Sequence, residues 1–314
     1  MKFFRFIALL SCLLAFYSVA NGQSKNGFDL NNASVPPDQI RRGGVPRDGI
    51  PSIDNPKFIA AVDAEFLGDK DRVLGVFRNG IAKAYPIKIL DHHEIVNDQF
   101  GDEAIVISYC PLCYTGMVFS ARTADFNFTF GVSGLLYNSD VLLYDRQTGS
   151  LWSQILSKAV AGPLKGKTLP SLPASHTTWR DWSARYPGTL VLSRDTGFRR
   201  DYRRSPYLEY ARTGRLMFPV ENTSKEYRNK ELVLGVSGGG VSKAYPFEEL
   251  EKNKQDRFDD SIGSKTVTVE WSESEDFARI LDDTGQEIPS VIGYWFAWFA
   301  FHPDTEVFRA SDAE

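Results

Sequence analysis

The sequence is poor in the residues and motifs that mark several common protein classes. Only 3 of its 314 residues are cysteine, so disulfide bonds are not what holds a chain of this size together. The net charge of −4 and the pI of about 5.7 argue against a surface that binds nucleic acid. The sequence has no Gly-rich phosphate loop followed by Lys-Ser/Thr, no His-Glu-x-x-His and no Gly-x-Ser-x-Gly motif. None of the corresponding enzyme classes is therefore indicated.

The composition is that of a globular protein. Hydrophobic residues make up 42% of the chain and aromatic residues 13%, which is enough to bury a core. After the N-terminal segment, no apolar run approaches the roughly 20 residues of a membrane span. We therefore expect neither a transmembrane span nor a nucleic-acid partner.

Residues 1–22 have the features of a secretory signal peptide. Lys2 and Arg5 precede an apolar stretch, and Ser18 to Ala20 supply small residues before a cleavage point. The sequence thus predicts an exported protein, periplasmic or secreted. The alternative is a lipoprotein acylated at Cys12, but the apolar stretch continues through Phe16 and favours ordinary cleavage.

The body of the chain contains an internal repeat. The pattern of residues 73–86 returns 160 positions later at 233–246, including Lys-Ala-Tyr-Pro at its end. The Trp-x-x-Trp pattern of residues 179–189 returns at 295–305, only 116 positions later, so the first copy contains 44 extra residues. Matches of this length and order indicate a duplicated unit.

Each copy has the pattern of a hairpin, a short helix and a strand. The hairpins turn at Asn79-Gly80 and at Gly239-Gly240. We expect an α+β, mainly β fold in which two diverged copies form one compact body. The expected segments are a signal peptide (1–22), an extended leader along the surface (23–51), a first copy with an inserted segment and a Cys-Pro-Leu-Cys site (52–192), an Arg-rich connection (193–231) and a second, degenerate copy (232–314).

The two copies differ in three blocks, and we expect function where they differ. The first copy alone has Asp-His-His-Glu-Ile-Val-Asn-Asp at 91–98, Cys-Pro-Leu-Cys at 110–113 and the insertion around 130–154. Together these strings resemble DUF3179, a family of bacterial and archaeal proteins, over about residues 40–310. The resemblance implies no established reaction. It leads us to expect glycine after the second cysteine, where this chain has Tyr114.

Cys110 and Cys113 form the candidate catalytic and metal-binding site. Apolar extended patterns flank them, which places the pair in a turn between strands. Such a turn resembles a metal knuckle, whereas a thioredoxin-type pair begins a helix. Two thiolates with one or two histidines suit copper or zinc.

His93 is the histidine we expect to complete the site, with His92 as the second choice. A helical face of Leu90 and His93 would direct the latter toward the core, and neighbouring histidines on a helix diverge by about 100°. Glu94 and Asp98 are candidates for orienting the ligating histidine.

Polar residues in the insertion are candidates for a pocket wall that binds a small molecule or peptide. These residues are Ser133, Asn138, Asp140, Asp145, Arg146, Gln147, Trp152 and Gln154. For Asp145 and Arg146, which are followed by Thr148 and Ser150, the alternative is a simple hydrogen-bonded turn.

Three functions remain open at this stage. The first is an exported metalloprotein that binds copper or zinc, with metal-dependent oxidation as its candidate reaction. The second is a thiol–disulfide oxidoreductase acting through Cys110 and Cys113. The third is a non-catalytic binding module whose cysteines form a structural disulfide.

Overall fold

The computed structural model describes residues 23–123 and 125–310. Strands account for 40% of the residues and helices for 13%, so the expectation of a mainly β fold is confirmed. The predicted signal peptide, with Cys12, lies outside the described residues.

The strands are short and occur along the whole described chain. They are β1 (Ser24–Lys25), β2 (Phe28–Asp29), β3 (Arg41–Arg42), β4 (Phe58–Ala60), β5 (Arg72–Arg78), β6 (Ile81–Pro86), β7 (Ile95–Phe100), β8 (Glu103–Cys110), β9 (Thr115–Ser120), β10 (Phe130–Tyr137), β11 (Asp140–Asp145), β12 (Leu151–Ser153), β13 (Lys158–Ala161), β14 (Ser171–Leu172), β15 (Ser175–Thr178), β16 (Leu190–Leu192), β17 (Leu232–Gly238), β18 (Val241–Pro246), β19 (Arg257–Ile262), β20 (Lys265–Ser272), β21 (Phe277–Leu281), β22 (Val291–Tyr294) and β23 (Glu306–Val307). The helices are α1 (Ile87–Leu90), α2 (Trp179–Arg185), α3 (Leu208–Ala211), α4 (Phe247–Asn253) and α5 (Trp295–Phe301).

Five sheets of three to five strands form the body, and their arrangement resembles a five-bladed β-propeller. In spatial order the strands are β13-β12-β11-β10-β3, β14-β9-β8-β7, β15-β5-β6-β16-β4, β22-β17-β18-β23 and β19-β20-β21. β1 and β2 form a separate two-stranded ribbon.

Both predicted hairpins are present and have the same register. β5 pairs with β6 from Val73 opposite Pro86, and β17 pairs with β18 from Val233 opposite Pro246. The turn residues Asn79-Gly80 and Gly239-Gly240 all have positive φ, between 51° and 84°. A two-residue turn of this kind matches the twist of the strands that it joins.

A three-stranded meander follows each hairpin and its helix. β7, β8 and β9 form the first, and β19, β20 and β21 the second. The last strand of each meander is preceded by a residue in the left-handed conformation, Tyr114 with φ 60° and Asp276 with φ 44°.

The repeated tryptophans pack onto glycines of the hairpins. A Cβ at Gly75 would lie 2.2 Å from the ring of Trp182, and one at Gly235 would lie 2.2 Å from Trp298. The indole N–H of Trp182 donates to Thr189 at 2.9 Å, and that of Trp298 donates to Thr305 at the same distance. Each ring is therefore fixed at its edge as well as its face.

The insertion packs on the cysteine turn, as expected from its apolar residues. Phe128, Phe130 and Trp152 share one core cluster with Cys110 and Cys113. The leader is more deeply integrated than its polar composition suggests. Its apolar residues Phe28, Leu30 and Ile40 are buried beneath the insertion sheet, and β3 pairs with β10.

We predict that Gly75→Ala and Gly235→Ala each destabilise the protein by about 1–3 kcal/mol, because the added methyl group overpacks against an indole ring held at its edge. Urea unfolding followed by tryptophan fluorescence measures the loss.

Gly188→Ala and Gly238→Ala are the matched controls, since an added Cβ meets no atom within 4 Å at either position. We expect them to change stability by less than about 0.5 kcal/mol. Equal losses in all four variants would contradict the role assigned to the glycine–tryptophan contacts.

Candidate functional site

The cysteines lie in a turn between two strands, as predicted. β8 ends at Cys110 and β9 begins at Thr115. Tyr114 has φ 60°, a region that favours glycine, which accounts for the glycine expected here from the family resemblance. Its ring stacks on His176 at 4.6 Å and on Tyr294 at 5.4 Å between centroids. These contacts hold a bulky side chain at a strained backbone position.

Asp140 joins the two cysteines in a buried cluster. One potential ligand atom from each of Cys110, Cys113 and Asp140 lies within 4.8 Å of the others, and all three residues are buried. Asp140 begins β11, directly after Asn138 and Ser139, which both have positive φ. The tight turn of this hairpin therefore directs a carboxylate at the cysteine turn.

The protein leaves part of the bonding capacity of this cluster unused. Oδ2 of Asp140 accepts a hydrogen bond from the Ile155 amide at 3.1 Å. Oδ1 is buried and has no hydrogen-bond partner of ordinary geometry among the described residues, although the thiols of Cys110 and Cys113 lie close enough to this carboxyl to lower its pKa as weak donors. Both thiols are free and donate to the carbonyl of Ser139, at 3.8 Å from Cys110 and 3.4 Å from Cys113. These sulfur contacts are long and weak.

Burial disfavours negative charge at every acidic group of the site. It raises the pKa of the Cys110 thiol and raises that of Cys113 further. It also raises the pKa of Asp140 to about 7. The pKa of Glu94 rises to about 8, through burial first and through the nearby charges of Asp91 and Asp140 second. A bound cation would offset this concentration of acidic groups.

His93 is not brought to the cysteines, which corrects the expectation of a histidine ligand. The helix α1 ends at Leu90, but hydrogen bonds from the amides of His93 and Glu94 to the carbonyl of Leu90 continue the turn, and the His93 side chain is buried, as expected. Both ring nitrogens have other partners at 2.7 Å, the carbonyl of Pro51 and the hydroxyl of Tyr202.

His92 also has another partner. Its Nε2 lies 3.0 Å from the carbonyl of Arg204. Neither histidine belongs to the group of ligand atoms around the cysteines that the described residues form.

The two acidic residues expected to support a histidine have different roles. Asp98 pairs with Lys83 at 2.8 Å, and Asp260 pairs with Lys243 at 2.7 Å in the second meander, so this ion pair belongs to the scaffold. Glu94, in contrast, lines a cavity of about 60 Å³ together with Leu112, next to the cysteine turn.

Two of the candidate pocket residues hold the site in place. Gln154 is fully buried, donates to Ser108 at 3.0 Å and accepts from the hydroxyl of Thr115 at 2.6 Å. It therefore fastens the two strands that carry the cysteines. Asn138 accepts from the amide of Glu221 at 2.9 Å and so fixes the turn before Asp140.

Asp145, Arg146 and Gln147 lie at a hydrogen-bonded turn, which is the alternative interpretation. Asp145 accepts from the indole of Trp152 at 2.8 Å and from the amide of Thr148 at 2.6 Å. Arg146 and Gln147 are exposed. Their partners are, respectively, Asp54 at 2.9 Å and the Thr129 amide at 3.1 Å.

Part of the Arg-rich connection covers the cysteine turn, a role that its sequence did not indicate. The hydroxyl of Tyr210 donates to the carbonyl of Leu112 at 3.0 Å. The carbonyl of Ser139 accepts from both thiols, and its hydroxyl donates to the carbonyl of Phe218 at 2.8 Å. The arginines are the conspicuous feature of this segment in the sequence, whereas Tyr210 makes the contact with the cysteine turn.

The fold and site thus define a mainly β protein with a buried cluster of two cysteines and a carboxylate. Residues 47–305 match the family model described as "Protein of unknown function (DUF3179)", and the chain belongs to this family. No curated protein and no solved structure matches the chain. In the described part of the chain, no helix is long and apolar enough to span a membrane.

The buried imidazole of His93 predicts a pH-dependent contribution to stability. Burial lowers its pKa to about 4 from the usual 6.5. Between these values the unfolded chain binds a proton that the folded protein does not, so this residue lowers stability as the pH falls from about 6.5 toward 4.

We therefore expect His93→Gln to lose less stability than the wild type between pH 7.5 and pH 5. Urea titrations measure the free energy of unfolding of both proteins at both pH values. Comparing the change with pH in each protein cancels the part of the substitution's effect that does not depend on pH. An equal or greater loss of stability in the variant would contradict the assignment of a neutral, buried His93.

Proposed function

We propose that the protein binds a zinc ion through Cys110, Cys113 and Asp140. The observation that carries this proposal is the buried Oδ1 of Asp140, which has no hydrogen-bond partner of ordinary geometry among the described residues and lies beside two free thiols. Zinc bonds of about 2.3 Å to sulfur and about 2.0–2.2 Å to oxygen require such ligands to approach only slightly more closely.

The carboxylate favours zinc over copper. Zinc accepts sulfur and oxygen ligands in one tetrahedral shell. Copper(I) prefers thiolates, so it would draw little from Asp140. Copper bound at the two sulfurs is the other metal to test. The hypothesis of a metal-dependent oxidoreductase requires a redox-active ion of this kind.

The burial of both sulfurs argues against thiol–disulfide exchange. Such enzymes expose a thiol whose pKa is lowered, often at a helix start. Here Cys110 ends a strand, and burial raises the pKa of both thiols. A metal ion bound to the sulfurs compensates for that burial, whereas a partner protein has no access to them without rearrangement.

Three protein ligands leave the fourth position of a tetrahedral zinc ion for water or a small ligand. The nearby cavity lined by Glu94 and Leu112 has room, at about 60 Å³, for at least one water molecule, but Cys110, Cys113 and Asp140 are not among its lining residues. A zinc ion with three protein ligands and one open position is typical of a reactive centre rather than a closed structural one.

We also propose that residues 52–192 and 232–314 are diverged copies of one unit and that only the first retains the metal centre. The equal hairpin registers and the two glycine–tryptophan contacts support this view. Residues 1–22 support export, with the centre acting in the periplasm or outside the cell.

We predict that protein purified after export contains about one zinc ion per chain. Asp140→Asn should reduce zinc affinity at least about tenfold, and Cys113→Ser should abolish binding, because each change removes a charged ligand. Elemental analysis and titration with a competing zinc-sensitive dye measure content and affinity, and circular dichroism verifies folding.

Two controls separate ligand loss from general damage. Asp102→Asn makes the same chemical change at an exposed turn, and His93→Gln removes the histidine that the sequence suggested. Both should retain the metal. Wild-type affinity in a folded Asp140→Asn variant, or purified protein with no metal and an oxidised cysteine pair, would overturn the proposal.

A further inference from the structure

A second cavity lies away from the cysteine centre. Its volume is about 220 Å³, and none of Cys110, Cys113 and Asp140 lines it. It lies between strands β9 and β14 on one side and strands β17 and β22 on the other. Among its lining residues are Met117, Leu156, Leu172, Val291, Trp298 and His302.

The cavity lies where the two hairpin units differ. In the first unit, the rings of Phe77 and Tyr186 stack at 4.9 Å between centroids. The residues at the matching positions of the second unit are Ser237 and His302. Phe77 lies opposite Ala82 in its ladder, as Ser237 lies opposite Ser242. Small polar groups thus occupy the positions at which the first unit has an aromatic pair.

The polar groups at this position are already aligned by hydrogen bonds. The hydroxyls of Ser237 and Ser242 lie 2.8 Å apart, and the hydroxyl of Ser242 lies 3.0 Å from Nδ1 of His302. The imidazole also packs on Trp298 at 4.0 Å between centroids. With Nδ1 engaged, Nε2 is the ring nitrogen left to contact a ligand.

The lining carries no formal charge at neutral pH. Among the residues that the structure describes, no Asp, Glu, Lys or Arg side chain lines the cavity. Burial lowers the pKa of His302 to about 4, so its ring is neutral. An ionic ligand would lose part of its hydration here without gaining an opposite charge, which disfavours its binding.

We propose that this cavity is a binding site for a small, neutral, largely apolar molecule with one hydrogen-bonding group, of the size of a substituted aromatic ring. An apolar cavity of 150 Å³ accommodates benzene, so this half-open cavity of about 220 Å³, with Ser237 at its exposed edge, has room for a single ring with one substituent. The apolar walls bind the ring, and the serine–histidine chain binds its hydroxyl group. The site is independent of the metal centre.

Titration of the wild-type protein with 4-fluorophenol, followed by ¹⁹F NMR, tests the proposal. We expect saturable binding in the millimolar range or tighter. The anion 4-fluorobenzoate has the same ring and should bind at least about tenfold more weakly, because the cavity offers its charge no partner. No saturable binding of 4-fluorophenol up to about 10 mM would overturn the proposal.

A double variant, Ser237→Phe with His302→Tyr, locates the site by restoring the aromatic pair of the first unit. It should weaken binding of 4-fluorophenol at least about tenfold, while Ser274→Phe, which adds the same ring at an exposed position, should not. Leu172→Trp narrows the cavity from the opposite wall and provides a second test if the double variant fails to fold. Wild-type affinity in the folded filled variants would overturn the assignment.

Discussion

The arrangement of the site depends on one carboxylate oxygen, Oδ1 of Asp140, which is buried without a regular hydrogen-bond partner in the described part of the chain. Burying such an atom without a partner is costly, and a charged group in this position requires a proton or a cation to neutralise it. The Asn138–Ser139 turn and the Ile155 amide hold the carboxylate in place, while Gln154 fastens the cysteine strands opposite it. Much of the insertion therefore serves to bring one oxygen to two sulfurs.

The parts of this structure that could be predicted from the sequence are those that local chemistry determines. Asn79-Gly80 and Gly239-Gly240 permit the positive φ angles of a two-residue turn, and alternating apolar residues define the strands beside them. The same reasoning places the cysteines between two strands. His93 is buried, as the spacing from Leu90 indicates, but Pro51 and Tyr202 are its partners instead of the cysteines, because segments distant in sequence pack against it.

The role of Asp140 could not be predicted, because nothing local distinguishes it from the other polar residues of the insertion. Successive side chains of a strand point to opposite faces, so Asp140 and Asp145, five positions apart on β11, have different surroundings. One faces the cysteines, and the other accepts hydrogen bonds from Trp152 and Thr148. Only the pairing of strands distant in sequence decides which carboxylate meets the sulfurs.

The part of the 193–231 connection that contains Tyr210 and Phe218 covers the cysteines and so affects how long an ion bound there would stay. Tyr210 bonds to the carbonyl of Leu112, Ser139 bonds to that of Phe218, and Cys113 has no exposed surface. An ion captured before this segment docks during folding is then enclosed by it. Its escape depends on how often the segment opens, as local unfolding governs exchange elsewhere in proteins. The lifetime of a bound ion would thus depend on the rate at which this segment opens as well as on the strength of the ligand bonds.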